Sequence, residues 1–216
     1  MDMNNTIILP IFPLGIVAFP GEFVNLHIFE PRYRQLIREC DATDKHFGIP
    51  AIIDKKLMII GTEMRLLNIE KVYPTGEMDI KLMSVGLFHI TDYFPVYQDK
   101  LYGAVEATQL GLDLVGNPVT NEKIYKYVNE LFVVLNIQKP LPPLNADFNT
   151  YKIGHQVGFS LEQEYDFLQI LVETERQDFM LEHLERMIPM VRQMHNLQDR
   201  VKLNGHFKHI SSGEWE

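Results

Sequence analysis

The chain has 216 residues and a formal net charge of −9, which disfavours ligands held through a phosphate backbone because such binding depends on lysine and arginine. Hydrophobic residues make up 46 % of it, as in ordinary globular proteins, and its single cysteine, Cys40, excludes an internal disulfide. The N-terminus has no basic region and no apolar run approaches the roughly 20 residues of a membrane helix, so we expect a cytoplasmic protein with no membrane segment.

The N-terminal part of the chain predicts a strand, a bent loop, a second strand and a helix. Ile7–Phe12 forms an apolar run long enough for one strand, and Pro13 ends it because proline lacks a backbone donor. Pro20–Gly21 predicts a turn, since proline fixes φ and glycine accepts positive φ. Phe23–Ile28 has the period-two alternation of a strand, and the proline that opens Pro31–Cys40 suits the first turn of a helix.

The residues that follow, up to Leu110, predict an antiparallel sheet with short connections. In the segment before the turn Pro74–Gly76, helix competes with strand because methionine, arginine, leucine and glutamate all favour a helix. We predict a strand there, since the turn leads into a second long strand and so indicates a hairpin. The predicted strands are His46–Ile53, Leu57–Ile60 with an interruption at Gly61, Met64–Tyr73, Asp79–Phe94 and Leu101–Leu110.

The second half of the chain predicts helices. Thr120 or Asn121 is predicted to cap the first of them, which ends before the proline-rich loop Lys139–Pro143. A short helix is predicted at Asn149–Val157. Ser160–Gln163 has the S-x-x-Q spacing of a capping box, in which side chain and backbone satisfy each other, and it predicts the start of another helix.

The last predicted helix is long and bent. Thr174–Gln177 has the spacing of a second capping box, and the apolar stripe behind it continues to Gly205. Pro189 lies inside this stripe, where it removes a backbone hydrogen bond and kinks the helix at a cost of roughly 3 kcal/mol. Residues 206–216 are predicted to form a flexible tail.

Two consecutive motifs carry a family resemblance. The pattern P-L-G-x-V-x-F-P-G occupies Pro13–Gly21, and L-x-I-F-E-P-R-Y occupies Leu26–Tyr33. Together they resemble the opening of the N-terminal domain of Lon, the ATP-dependent protease La. Leu87 departs from the family pattern, because an arginine is usual at this place. The resemblance spans roughly Ile7–Leu203, with later matches in the same order at Phe47–Ile49, Gly61–Thr62, Pro74–Gly76, Gly86 and Phe88–Ile90.

The strand and helix pattern and the resemblance together imply an α+β fold. It is an N-terminal antiparallel β pseudo-barrel, similar to the PUA fold, with one helix, followed by a helical subdomain that ends in a long kinked helix. From the change in composition after Gly111 we predict a pseudo-barrel at residues 1–111, a linker at 112–117, the helical subdomain at 118–205 and the tail at 206–216. The length suggests a stand-alone form without the ATPase and protease domains of Lon.

The motifs of an ATPase or a protease are missing from the sequence. No G-x-x-x-x-G-K-[ST] is present to hold ATP, and no G-x-S-x-G marks a serine nucleophile. Ser84 lies in a predicted strand and Ser160 in a predicted cap, while the two other serines lie in the tail. Cysteine and histidine form no cluster typical of a structural metal site. We therefore predict no catalytic residue, no metal and no cofactor.

The resemblance implies a module that binds unfolded polypeptide or exposed apolar segments. A separate ATPase or protease is a candidate partner, which the sequence alone does not establish. The candidate contacts are aromatic side chains beside the prolyl loops and strand ends, because aromatic rings bury a large area with few rotatable bonds. They are Phe19, Phe23, Tyr93 and Tyr97. We expect Phe12 and Phe29 to lie in the core instead.

The residues of the family signature are expected to be structural. Arg32 is predicted to bridge a neighbouring carboxylate, with Tyr33 packed beneath it. The full set is Pro13, Leu14, Pro20, Gly21, Phe29, Glu30, Pro31, Arg32 and Tyr33.

Two other functions remain open at this point. A PUA-like RNA-binding domain predicts a basic groove with exposed aromatic rings for base stacking, which the acidic net charge disfavours. A small-molecule-binding protein on the same fold predicts a deep pocket with convergent polar groups. The sequence does not determine the oligomeric state.

Overall fold

The computed structural model describes residues 6–210, and the side chains of residue 196 and of residues 198–210 lie outside that description. The strands are β1 (Thr6–Pro10), β2 (Phe23–Ile28), β3 (Phe47–Ile53), β4 (Lys56–Val72), β5 (Met78–Phe94) and β6 (Ala104–Leu110). The helices are α1 (Pro31–Thr43), α2 (Pro118–Val134), a 3-10 helix (Thr150–Gln156), α3 (Leu161–Leu168) and α4 (Glu173–Ile210). None of the described helices is long and apolar enough to cross a membrane.

The strands form one antiparallel sheet in the order β1-β6-β5-β4-β3, with β2 paired to β5 outside this path. The long strand β5 carries β4 along one edge. Its other edge is shared, because β2 pairs with residues 78–83 and β6 with residues 87–94. The antiparallel arrangement predicted from the short connections is confirmed.

The two ends of the sheet approach each other without closing a continuous barrel. Beyond β1, residue Ile11 bridges Gly48 of β3 and Leu14 bridges Ala51, both in parallel. Phe12 N donates to the Gly48 carbonyl at 2.8 Å. These few bonds curl the sheet into the predicted pseudo-barrel and leave the strand ladder itself open.

The prediction of a strand break at Gly61 is wrong, since β4 runs uninterrupted from Lys56 to Val72. The physical reason lies inside the barrel. A Cβ on Gly61 or on Gly48 would overlap the ring of Phe88, which is fully buried. The two glycines leave room for a large ring against the strands. A glycine within a strand can therefore serve close packing and need not interrupt the strand.

The start of α2 also differs from the prediction, which placed its cap at Thr120 or Asn121. Asn117 caps the helix instead, because its side chain accepts hydrogen bonds from the backbone N–H groups of Val119 and Thr120. Pro118 occupies the first turn of the helix. A backbone N–H at this position has no partner within the helix, so the lack of an N–H in proline costs no hydrogen bond.

The capping box at Ser160–Gln163 is confirmed at the start of α3. The predicted box at Thr174–Gln177 is wrong, because α4 already begins at Glu173 and the Gln177 amide donates to the Asn117 carbonyl at 3.0 Å. The helix continues through Pro189 and past Gly205 to Ile210. The remainder of the predicted tail, residues 211–216, lies outside the described residues.

One apolar core joins the barrel to the helices. Leu87 of β5, Leu131 of α2 and Leu184 of α4 all belong to it. The predicted linker, residues 112–117, is tied to this joint, since Asp113 N donates to the Leu171 carbonyl at 2.9 Å. The barrel and the helical half therefore form one packed body.

A buried ion pair lies at the same joint. The side chains of Glu173 and Arg176 are both fully buried and approach to 2.8 Å. Arg176 also donates to the Asp113 carbonyl at 2.7 Å, and its guanidinium lies 4.2 Å from the centroid of the Tyr151 ring. Thr150 N donates to Glu173 at 2.7 Å. Each charge thus has several partners, as a buried ion pair requires.

Candidate functional site

A tight turn presents the segment that leads into β2. Glu22 N donates to the Phe19 carbonyl at 3.1 Å, with Pro20 and Gly21 between them and a φ of 82° at Gly21, the arrangement of a type II turn. Gly21 N donates to the Ser84 carbonyl, and Ser84 N donates to the Glu22 carbonyl at 2.9 Å. The predicted turn at Pro20–Gly21 is confirmed, and β5 holds it in place.

Phe19 lies inside the protein, with 1 % of the residue exposed. Its ring centroid lies 4.5 Å from that of His155, 5.4 Å from Tyr151 and 5.6 Å from Phe167. Gly154 makes room for it, because a Cβ there would overlap the ring. The prediction of Phe19 as a surface contact is therefore wrong, since the helical half covers this side of the loop.

Phe23 stands between two open grooves, and 59 % of it is exposed. The first, which we call the β2 groove, measures about 410 Å³ and is lined on its apolar side by Ile16 and Leu161. The second, which we call the proline-loop groove, also measures about 410 Å³ and includes Pro20 and Pro142. An exposed ring between two grooves can contact a ligand that lies in either one.

His155 lines both grooves and links the barrel to the helical half of the protein. Its Nδ1 lies 2.6 Å from Glu164 Oε1 in α3, and its Nε2 lies 3.1 Å from Glu22 Oε2 in the turn. Burial lowers the pKa of His155, but the hydrogen bonds and charges of the two carboxylates outweigh burial and raise this pKa to about 9. The imidazole is therefore protonated at neutral pH and bridges two carboxylates.

Replacing His155 with glutamine is expected to lower the stability of the protein by about 1 kcal/mol, because over a third of this side chain is exposed and water screens the interaction. The raised pKa makes the stabilisation complete below the unfolded value of about 6.5 and removes it as the pH rises through about 9. Urea unfolding at several pH values should show the difference from the natural protein shrinking across this window. A difference independent of pH would contradict the charged bridge.

The other two predicted contacts lie elsewhere. Tyr93 is 46 % exposed near the end of β5, well beyond Met83, the partner of Phe23 in that strand. Tyr97 is half-buried and lines a cavity of about 680 Å³ beside α1. The structure thus places the four predicted residues in different surroundings, and Phe23 alone among them combines exposure with the grooves.

The sequence of the chain matches a known protein family over residues 8–195, a range that runs from β1 into α4. The matching family is described as the ATP-dependent protease La (LON) substrate-binding domain. The chain belongs to this family. The resemblance inferred from the sequence motifs is therefore confirmed. No curated protein sequence matches the chain.

Two solved Lon structures share the fold. The crystal structure of a Lon N-terminal domain protein from Xanthomonas campestris matches with a TM-score of 0.60 and 22 % sequence identity. The N-terminal domain of the Mycobacterium avium complex Lon protease matches with a TM-score of 0.61 and 13 % identity. Each match covers 82 % of this chain and 98 % of the other. At these identities the likeness establishes the fold.

The Lon signature motif forms a compact structure around the start of α1. Arg32 forms the predicted bridge, at 2.7 Å from the Glu30 carboxylate, and its guanidinium lies 4.6 Å from the centroid of the Tyr33 ring. Tyr33 in turn stacks on Phe12 at 3.8 Å between centroids. Phe12 is buried as predicted, whereas Phe29 is 61 % exposed, so the prediction of a core position for Phe29 is wrong.

Leu87, where the sequence resemblance led us to expect arginine, is buried at the joint between barrel and helices. It pairs with Leu110 of β6 on one side and Thr62 of β4 on the other. An arginine at this position would place a charge in an apolar core, which is costly without a partner. The leucine therefore fits the way the helical half packs in this protein.

The described part of this Lon-type domain offers no arrangement of three or more histidine, cysteine, aspartate or glutamate side chains that could hold a metal ion. Burial raises the pKa of the Cys40 thiol to about 12, so the thiol is protonated at neutral pH. An unreactive thiol in the core is the expected state of such a cysteine.

Proposed function

We propose that this chain is a non-catalytic module that binds unfolded polypeptide through apolar side chains, at the two grooves beside Phe23. The membership of the substrate-binding family supports this function, and an exposed phenylalanine directly after a fixed turn supports the location. We further propose an ATP-dependent protease as the partner that receives the polypeptide, because the family is named for the substrate-binding domain of such an enzyme.

The composition of the grooves favours polypeptide over RNA. Beside Phe23 the charged side chains are of both signs. Glu22 and Glu164 carry negative charge, and the protonated His155 bridges these two carboxylates. Further cations are Lys139 and Lys152 in the proline-loop groove and Lys81, whose Nζ lies 5.4 Å from the centroid of the Phe23 ring. A groove that follows a nucleic-acid backbone is predominantly basic, since its affinity comes from neutralised phosphates. Mixed charges around an apolar centre suit a polypeptide, which offers both apolar side chains and hydrogen-bonding groups.

Replacing Phe23 with alanine is expected to weaken polypeptide binding about tenfold, because burial of a phenylalanine side chain stabilises a complex by about 1.5–3 kcal/mol and part of this ring is already covered. The probe is reduced, carboxymethylated α-lactalbumin, a permanently unfolded protein, labelled with a fluorophore. The measurement is the fluorescence anisotropy of this probe during titration with each variant.

Tyr93→Ala serves as the matched control, since Tyr93 is also an exposed aromatic residue but lies away from the grooves. We expect its affinity for the unfolded probe to equal that of the natural protein. If Phe23→Ala and the natural protein bind the unfolded probe with equal affinity, the proposed location of the binding site is wrong. If the natural protein fails to bind the probe, the proposed function itself is wrong.

A further inference from the structure

The strand β2 has one open edge. Among residues 6–210 its only strand partner is β5, with a continuous register from Phe23–Met83 to Ile28–Met78. In an antiparallel pair, alternate residues direct their backbone N–H and C=O groups toward the partner, and the residues between direct theirs away from it. The open edge of β2 therefore carries the backbone groups of every second residue.

The hydrogen bonds at both edges of β5 show which residues these are. Ser84 N donates to the Glu22 carbonyl, so the even-numbered residues of β5 and β2 face each other. On the opposite edge, Tyr73 N donates to the Glu77 carbonyl at 2.8 Å, so an odd-numbered residue there faces β4. It follows that Phe23, Asn25 and His27 direct their backbone groups away from the sheet.

Within the described residues, no other strand or loop forms a backbone hydrogen bond to these outward groups. The chain that continues from strand β1, at the end of the sheet, is different. Pro10 has no N–H, and the residues that follow, from Ile11 to Leu14, pair with β3. The β2 edge is thus an unpaired strand edge over its whole length.

The sequence of β2 also lacks the usual protection of an edge. Natural edge strands are commonly blocked by lysine, proline, a bulge or an inward-pointing charge. Phe23–Ile28 reads F-V-N-L-H-I, with no lysine, proline or carboxylate and no shift in register. The prolines of this region, Pro20 and Pro31, stand outside the strand on either side.

We propose that an extended polypeptide segment binds by adding a strand to the open edge of β2. This inference rests on the proposed function and specifies how the polypeptide is held. The β2 groove continues into this edge, because Val24 and Asn25 line it together with Phe23. Main-chain hydrogen bonds then supply affinity that depends little on the sequence of the bound segment.

The side chains of β2 define the class of segment that fits. On one face the half-buried Val24 and Leu26 adjoin the core beneath α1, and on the other Phe23 and Asn25 are exposed. An added strand places alternate side chains beside these two rows. The preferred occupant is therefore a β-prone segment with apolar residues at every second position, as unfolded proteins expose.

The test uses three forms of one peptide in which threonine and valine alternate around a single phenylalanine, with lysine at each end. One form is unmodified, and the other two carry N-methyl groups on alternate residues, in opposite phases. In strand addition only alternate N–H groups point at β2. We expect one methylated form to bind at least about tenfold more weakly, while the other retains the affinity of the unmodified peptide.

A matched pair of variants tests the protein side of the same contact. Asn25→Pro removes an outward N–H and leaves the β2–β5 ladder intact, since proline is tolerated on an edge strand when its nitrogen faces solvent. Asn25→Ala removes the side chain and keeps that N–H. We expect Asn25→Pro to lose the peptide and Asn25→Ala to retain it, with both variants as stable to urea as the natural protein within about 1 kcal/mol.

The outcomes separate this inference from the proposed function. Equal binding of both methylated forms, or retention of the peptide by a folded Asn25→Pro variant, overturns strand addition while polypeptide binding stands. Failure of the unmodified peptide and of unfolded α-lactalbumin to bind overturns the proposed function. A dimer that is detected by light scattering and dissociated by Asn25→Pro would show that a second copy of the chain occupies the edge, which also overturns the proposal.

Discussion

Replacing Arg176 with alanine is expected to destabilise the protein by about 3–5 kcal/mol, because the change leaves the buried Glu173 carboxylate without its counter-charge. Burial already raises the pKa of Glu173, and Thr150 and Arg176 act against that rise. Without Arg176, only the Thr150 hydrogen bonds oppose the cost of burying a negative charge. Urea unfolding measures the effect as a shift in the midpoint at constant slope.

The double variant with Glu173→Gln and Arg176→Met is the matched control. It removes both charges and keeps an amide near Thr150, so it should be more stable than Arg176→Ala alone. Such a result would show that the unpaired charge causes the loss. A single variant within about 1 kcal/mol of the natural protein would contradict the buried ion pair.

Replacing Phe19 with alanine is expected to cost about 3–5 kcal/mol of stability, since the change leaves a cavity between Tyr151, His155 and Phe167. Phe23→Ala, four residues further on, removes the same side chain from an exposed site and should cost less than about 1 kcal/mol. Thermal unfolding of the two variants gives the comparison directly.

Comparing Phe19→Ala with Phe23→Ala tests whether the phenylalanine before the turn serves the core while the one after the turn, at the start of β2, serves binding. We expect Phe19→Ala to lower stability and Phe23→Ala to lower affinity for unfolded polypeptide. The opposite assignment, with Phe19→Ala as stable as the natural protein and unable to bind, would restore Phe19 as a surface contact and contradict its packing in the structure.

The same loop shows what the sequence could predict and what it could not. The turn at Pro20–Gly21 was predictable because proline and glycine act on the local backbone. The burial of Phe19 depends on Tyr151 and Phe167, which lie far away in the chain, so no local pattern reports it. Phe29 illustrates the reverse case, since an apolar residue beside a strand proved to be exposed.

The buried charges were missed for a similar reason. Glu173 and Arg176 stand three residues apart at the start of a helix, a spacing that usually indicates a solvated pair on the helix surface. Their burial is decided by Tyr151 and by the backbone at Asp113, which close over them. The capping-box interpretation of Thr174–Gln177 rests on the residues next to this pair and does not account for its burial.

The open edge of β2 could not be predicted from the sequence either, although the strand itself was predictable. Alternation in Phe23–Ile28 indicates a strand and its apolar face. The neighbours of β2 are set by its pairing with Met78–Met83, which lies far away in the chain. Such long-range pairing follows from the packing of the whole sheet. The register shifts between β4 and β5 illustrate this dependence, since they were not evident from the alternation of side chains.

Binding of an unfolded protein in preference to its native form tests the central claim most directly. The natural protein is titrated against labelled α-lactalbumin in its reduced, carboxymethylated form, in its native form, and against single-stranded RNA. We expect micromolar affinity for the unfolded form and at least about tenfold weaker binding of the native form. Equal affinity for both forms, or RNA binding with a steep dependence on salt, would contradict the assignment of a polypeptide-binding module.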